Sequence, residues 1–368
     1  MVWANAERFG GTIGFRRRVD GSWVDVPSRE FAAQVLDVAK GMIAAGLRPG
    51  DRIALLSGTR YEWSLFDFAG LAIGCQIVPI DAAAGAAEVE WILADSGACA
   101  VVVETAAHRE TVRAVVDRLP EIVWVWQLDG GVLGGDNEAG EVVADAVDEL
   151  TALAADAGWV SDETVHQRRL AVRTDDIATV VYPSGTERGK RAELTHGELL
   201  ADVRSTIAAF PALLRPGNSL LLLLALADLP ARVIAMCCVY TRTTLGHLPE
   251  AGDLFTDLGV FRPRVIVADT GLLREVYASA REKAHAEGGT FLFDAAESVA
   301  RSYGAGSASL TLRLKHAVAG RVVYPKLRAA FGGRCVAAIT AGEPLDADRA
   351  NFFRGIGVDV HELGLAPA

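Results

Sequence analysis

Apolar positions along the first hundred residues alternate between a helical spacing and short continuous runs, and that alternation predicts an α/β fold. Ser28 can cap a helix whose apolar residues Phe31, Val35, Val38 and Met42 fall three or four apart, with Gly46 and Pro49 ending it. An apolar run at 52–57 then reads as a strand. A second amphipathic stretch around Trp63, Phe66 and Ala69 precedes a strand at 75–80, a helix through Val89 and Leu93, and a strand at 99–103. Short apolar strands separated by helices imply parallel pairing, with helices covering both faces.

Residues 129–140, rich in Gly, Asp and Glu, predict an exposed loop rather than a domain boundary. The alternation resumes afterwards, with strands expected at 177–182, 219–226, 241–245, 264–268 and 334–340, and with no internal repeat or low-complexity tract. At 368 residues the chain exceeds a usual single core, so two units are expected, a first α/β subdomain over 1–170 and a second over 171–368. The longest apolar run, residues 220–227, is far short of the ~20 residues that cross a bilayer. The opening MVWANAERFGG shows no basic-then-apolar signal, which predicts a cytoplasmic location.

A net charge of −11 provides no basic face for nucleic acid, and Arg16, Arg17 and Arg18 read as a solvated hairpin edge. The five cysteines, odd in number and without metal spacing, predict buried reduced thiols. The seven histidines show no ligand spacing and no Ser-centred nucleophile motif is present, so no metal site is expected.

The most informative segment, Tyr182 to His196, lies between an expected strand and an expected helix and reads YPSGTERGKRAELTH. Small hydroxyl and glycine residues leave backbone amides free to surround phosphate, with Lys190 to neutralise it and a helix start behind. The same residue types also build ordinary turns.

With this segment and others, the chain resembles the adenylate-forming acyl-CoA synthetases, closest to the long-chain fatty-acyl-CoA ligases of actinobacteria. The likeness runs through Gly21-Ser22-Trp23-Val24-Asp25-Val26, Leu47-Arg48-Pro49-Gly50-Asp51-Arg52, Thr59-Arg60-Tyr61-Glu62-Trp63 and Trp91-Ile92-Leu93-Ala94-Asp95-Ser96-Gly97-Ala98. It continues in Leu194-Thr195-His196-Gly197-Glu198-Leu199-Leu200, Ala231-Arg232, Pro263-Arg264 and Asn351-Phe352-Phe353-Arg354-Gly355-Ile356-Gly357. The resemblance implies a layered, parallel-sheet N-terminal domain whose clefts hold ATP with Mg²⁺ and a fatty-acid-like carboxylate. It also implies that the family's ribose-binding Asp, hinge residue, catalytic Lys and C-terminal lid domain lie beyond Ala368, so a lidless, shortened relative is expected.

Ser184, Gly185, Thr186 and Lys190 match the family's phosphate-binding positions, and Gly342, Glu343 and Pro344 fall in its adenine-facing loop. The surrounding pattern departs from the family. Pro183 replaces a Thr and removes an amide donor, Glu187 replaces a Thr, the next Gly is missing, and Arg191 stands where a Gly belongs. A carboxylate about 4 Å from phosphate costs roughly 4 kcal/mol at an effective dielectric near 20, about three decades of nucleotide affinity. Near the end, Ala366 and Pro367 replace the family's Thr and Mg²⁺-holding Glu, which leaves no oxygen ligand there. Loss of ATP-dependent adenylation, with no cofactor retained, is the expectation.

A third departure concerns the acyl pocket. The family places a Pro at 225 and a His at 228, and this chain has Ala225 and Asp228. A carboxyl set among Leu, Ala and Pro would be shifted upward by desolvation and could donate a proton. The alternative is an aspartate exposed at, or bonded to, the start of the next helix. His361 and Glu362 form a second titratable pair near the cleft on family geometry, and read equally as surface residues. His196 reads as structural, opening the helix after the loop.

Together these readings predict a protein that binds a fatty-acyl or polyketide-like ligand, with Asp228, His361 and Glu362 as candidate catalytic residues for a cyclisation or isomerisation. The alternatives are a non-catalytic partner of an intact synthetase or a carrier protein, and a residual long-chain ligase. A homodimer through an apolar face left uncovered is a further expectation.

Overall fold

Residues read as continuous apolar runs become inner strands of two mostly parallel sheets. The computed structural model describes residues 1–19, 21–133, 141–143, 145–183, 190–248, 254–286, 290–306, 309–342 and 344–363. The first sheet has six strands in the order Ala192–Thr195, Ile177–Val181, Gln76–Ile80, Arg52–Leu56, Ala100–Val103, Trp124–Gln127. Only its first pair is antiparallel. The second has seven, in the order Asp359–Glu362, Ala337–Ala341, Val265–Asp269, Ser219–Leu222, Thr244–His247, Ile13–Val19, Ser22–Pro27. Here the hairpin Ile13–Val19/Ser22–Pro27 is the antiparallel pair.

The two-residue period of a strand explains why these segments carry no polar face. Ile53 and Leu55 enter a central core, while Ala54 and Leu56 pack outward with Val89 and Val112 of helices Ala86–Ser96 and Ala106–Val116. In the second sheet Leu220 and Leu222 face the central core, and Leu221 faces an outer core with Phe293 and Phe352. The central core joins the inner faces of both sheets through helices Ser28–Ala44, Tyr61–Ala72, His196–Ala209 and Leu229–Thr241.

Several expectations shift. The helix Leu229–Thr241 runs on to Thr241, and Arg242 turns it off with a left-handed φ of 62°, so the next strand begins at Thr244 rather than 241. The stretch read as a loop at 129–140 contains Gly131–Leu133, paired antiparallel with Glu141–Val143, where strand-forming Val and Leu follow the glycine. Sheet membership also crosses the division expected at residue 170. The hairpin Ile13–Val19/Ser22–Pro27 belongs to the second sheet, and Ile177–Val181 with Ala192–Thr195 to the first. Cys75, Cys237, Cys238 and Cys335 are buried free thiols, and Cys99 is half-buried.

Polar groups cross the apolar central layer at a few points. Arg232 of Leu229–Thr241 donates to Asp67 of Tyr61–Ala72 through Nε at 3.1 Å and Nη2 at 2.5 Å, and both residues are nearly solvent-free. The guanidinium also lies 5.8 Å from the Trp63 ring. Burial pushes the Asp67 carboxyl above the ordinary aspartate range, against the pull of the facing guanidinium. Beside this pair, Ser64 Oγ and His247 Nε2 share a 3.0 Å hydrogen bond in a buried setting. Burial lowers the His247 pKa to about 3.

Replacing Arg232 by Met leaves Asp67 buried without its partner. The urea midpoint should fall by the equivalent of about 3–5 kcal/mol, whereas the double change D67L/R232M recovers most of that loss. His247 adds a pH dependence of definite sign. Its folded pKa lies below the unfolded value, so its contribution is complete above pH ~6.5 and is lost at about 1.4 kcal/mol per unit as pH falls toward 3. Urea titrations from pH 7.5 down to about 5 read that slope, and His247→Gln should flatten it.

Candidate functional site

In both sheets the carboxyl ends of the parallel strands run into segments that carry polar groups, the edge at which open α/β sheets bind ligands. The first sheet supplies Gly58 and Thr59 after Arg52–Leu56, Asp81 after Gln76–Ile80, Glu104 after Ala100–Val103 and Tyr182 after Ile177–Val181. The second supplies residues 223–228 after Ser219–Leu222 and Gly342 after Ala337–Ala341. Thr59 ties the two edges together. Its hydroxyl donates to the Leu224 carbonyl at 2.6 Å and accepts from the Leu226 amide at 3.1 Å. Glu104 accepts from the Gly58 amide at 2.8 Å and faces Arg60, which also reaches Glu62 at 2.7 Å and Asp129 at 2.8 Å.

Ser184, Gly185 and Thr186, like Glu187, lie outside the described residues, but both stems of their loop are described. On one side the Tyr182 hydroxyl donates to the Asp95 carboxylate at 2.8 Å. On the other, Arg191 donates to the Asp95 carbonyl at 2.9 Å and its carboxylate at 3.1 Å, and lies 3.4 Å from Glu193. The Tyr182 bond, with Arg191 assisting, holds the Asp95 carboxyl below the usual aspartate range. Lys190 is exposed. Of the two described cations that follow the loop, Arg191 is thus engaged by carboxylates, while Lys190 faces solvent.

Asp228 sits just before helix Leu229–Thr241 in extended conformation, with no side-chain cap bond. It is exposed, the alternative its sequence left open beside an enclosed apolar setting, because the helix starts one residue later and leaves 228 at its open end. Nearby protein still raises its carboxyl by desolvation, and Asp81 across the cleft adds like charge. His361 and Glu362 do not converge. Neighbours on the strand Asp359–Glu362 point to opposite faces, so the His361 ring meets Phe210 at 5.7 Å and Glu362 is exposed. Gly342, with a left-handed φ of 90° that favours glycine, and Pro344 are exposed, and Glu343 lies outside the described residues.

His196 opens helix His196–Ala209, where Thr195 and Glu198 form a reciprocal capping box. Burial lowers its pKa, and its ring borders a cavity of about 260 Å³ lined also by Phe68, Leu71, Arg169, Leu199 and Met236. The walls of this cavity include none of Asp228, His361 and Glu362. Among the described residues no group of three His, Cys, Asp or Glu is placed to hold a metal ion. Sequence reading missed Thr59, Asp81, Glu104 and the Asp95 clamp, whose roles depend on contacts between distant segments; the strand-end position of Thr59, Asp81 and Glu104 was the available signal.

Comparison with known proteins matches residues 3–365 to the AMP-binding enzyme family. The long-chain-fatty-acid–CoA ligase FadD15 of Mycobacterium tuberculosis is 37% identical over 367 residues, covering 98% of this chain and 59% of FadD15. FadD15 of Mycobacterium bovis gives the same identity and coverage. The chain thus spans about three-fifths of the length of these relatives. Among solved structures, the inhibitor-bound N-terminal domain of FACL13 from M. tuberculosis superimposes with a TM-score of 0.68 at 18% identity, over 100% of this chain and 74% of that one.

Proposed function

The chain belongs to the AMP-binding enzyme family, and we propose that it binds a fatty-acyl or polyketide-like carboxylate without adenylating it. The observation that carries this reading is the Asp95 clamp. Tyr182 and Arg191, on either side of the degenerate loop, both bond to one carboxylate, so the Arg191 charge is already partnered within the protein. The Pro183, Glu187, Ala366 and Pro367 substitutions support it from the sequence. ATP with Mg²⁺ is what relatives of this kind use for adenylation. The protein's own contribution is a cleft fixed by Thr59 and edged by Asp81 and Asp228.

Asp228 is the proposed proton donor for a cyclisation or isomerisation of that ligand, since crowding and Asp81 favour its protonated form. Asp228→Asn should stop product formation, followed by mass spectrometry, while the ligand still binds. Native mass spectrometry with ATP, Mg²⁺ and palmitate should show a palmitate adduct and no nucleotide adduct. The triple change P183T/E187T/R191G should raise nucleotide affinity by about three decades at most, from relief of one like-charge contact.

A second reading, a surviving long-chain fatty-acid–CoA ligase, is favoured by the 37% identity to FadD15 along nearly the whole chain. ATP-dependent pyrophosphate exchange with palmitate by the unaltered protein would establish it and overturn the first.

A further inference from the structure

The cavity of about 260 Å³ beside His196 lies away from the cleft, at the other edge of the first sheet. Its walls include Ala72 and Val172, which precede the strands Gln76–Ile80 and Ile177–Val181, whereas the cleft gathers residues that follow those strands. Helices Tyr61–Ala72, His196–Ala209 and Leu229–Thr241 supply Leu71, Leu199 and Met236, and helix Val2–Phe9 closes one side with Trp3. A concave, mostly apolar space with a few polar groups is the usual form of a small-molecule site.

Two polar side chains of the wall are left without partners. Arg169, in the last turn of helix Asp162–Ala171, is half-buried and makes no hydrogen bond or ion pair among the described residues. Its Nε is buried and unpartnered, and its guanidinium lies 4.9 Å from the centre of the Trp3 ring. His196 Nε2 is likewise buried without a partner. Buried donors without acceptors are costly, and the chain has 47 Asp and Glu against 36 Lys and Arg, yet no carboxylate has been placed beside this guanidinium. The vacancy beside Arg169 therefore suits an acceptor that arrives from outside the chain.

Size and shape narrow the ligand. A cavity of about 150 Å³ holds benzene, so this one holds about ten non-hydrogen atoms. Trp3 and Phe68 present rings to an aromatic body, and the single guanidinium balances one negative charge rather than several. We infer that this cavity binds a small monocarboxylate with a ring-sized apolar body, its carboxylate on Arg169 and its body among Leu71, Leu199 and Met236. A guanidinium takes a carboxylate through two parallel N–H bonds, and His196 as the Nε2–H tautomer adds a third donor. The site touches the buried ion pair as well, for Phe68 follows Asp67 and Met236 lies four residues after Arg232 on the same helix face. An occupant thus packs against the helices of both partners, whatever fills the cleft.

Isothermal titration calorimetry with phenylacetate, a monocarboxylate of about this size, tests the site. The unaltered protein should bind it and gain urea resistance in its presence. Phenylacetamide, with the same shape and no charge, should bind roughly tenfold more weakly or worse, and Arg169→Gln should weaken phenylacetate by a similar factor. Leu200→Trp, which fills the space, should abolish both the binding and the urea effect, with circular dichroism confirming the fold of each variant. Saturating palmitate should leave the phenylacetate affinity unchanged. The inference is overturned if phenylacetate up to about 10 mM gives neither heat nor a midpoint shift. It is also overturned if phenylacetamide binds as tightly, if either R169Q or L200W matches the unaltered protein, or if palmitate displaces phenylacetate and so places it in the cleft.

Discussion

A carboxylate and a guanidinium buried in an apolar layer can satisfy each other in only a narrow set of positions, and Asp67 with Arg232 imposes that constraint on the centre of this molecule. Asp67 lies on a helix packed with the first sheet, and Arg232 near the start of a helix that follows a strand of the second. A sliding of one half against the other by even a single turn would leave two charges without partners. The same segment of the first half reaches across elsewhere, from Thr59 to Leu224 and Leu226 and from Ser64 to His247. Residues 59–67 therefore act as one comb whose teeth set the spacing between the sheets.

That spacing defines the cleft at the strand ends, and the cleft is acidic. Asp81, Glu104 and Asp228 line its described edges, while Arg60 is shared among Glu62, Glu104 and Asp129 and Arg191 is shared between Asp95 and Glu193. A polyphosphate entering here would have to compete with carboxylates already bonded to these cations, in a chain of strongly negative net charge. A ligand with one weak negative charge and a long apolar part meets a smaller barrier. The electrostatics thus agree with the loop substitutions.

The strands of the inner sheets were legible because each is buried on both faces, which writes an unbroken apolar run into the sequence. What was not legible involves distance along the chain. Nothing local in Ile13–Val19 says that its partner is Thr244–His247, some 230 residues on, because pairing in a parallel sheet is set by the crossover path. Helix ends moved for a similar reason: Arg242 adopts a left-handed conformation without glycine, so the continuation to Thr241 carried no stop signal. Single charges inside apolar helices, Asp67 and Arg232, were the most readable clue overlooked, for each demands an opposite partner. The two settings open to Asp228 could not be told apart locally, because sequence neighbours reveal composition, whereas its exposure follows from where the helix begins.

The strand Asp359–Glu362 ends the second sheet, with one side unpaired among the described residues. Such an edge is a template on which another copy could add a strand and start an aggregate. Asp359 and Glu362 place a carboxylate near each end of this short segment, so two edges approaching each other would bring like charges together along their whole length. The carboxylates at both ends of this segment thus disfavour pairing of one such edge with another.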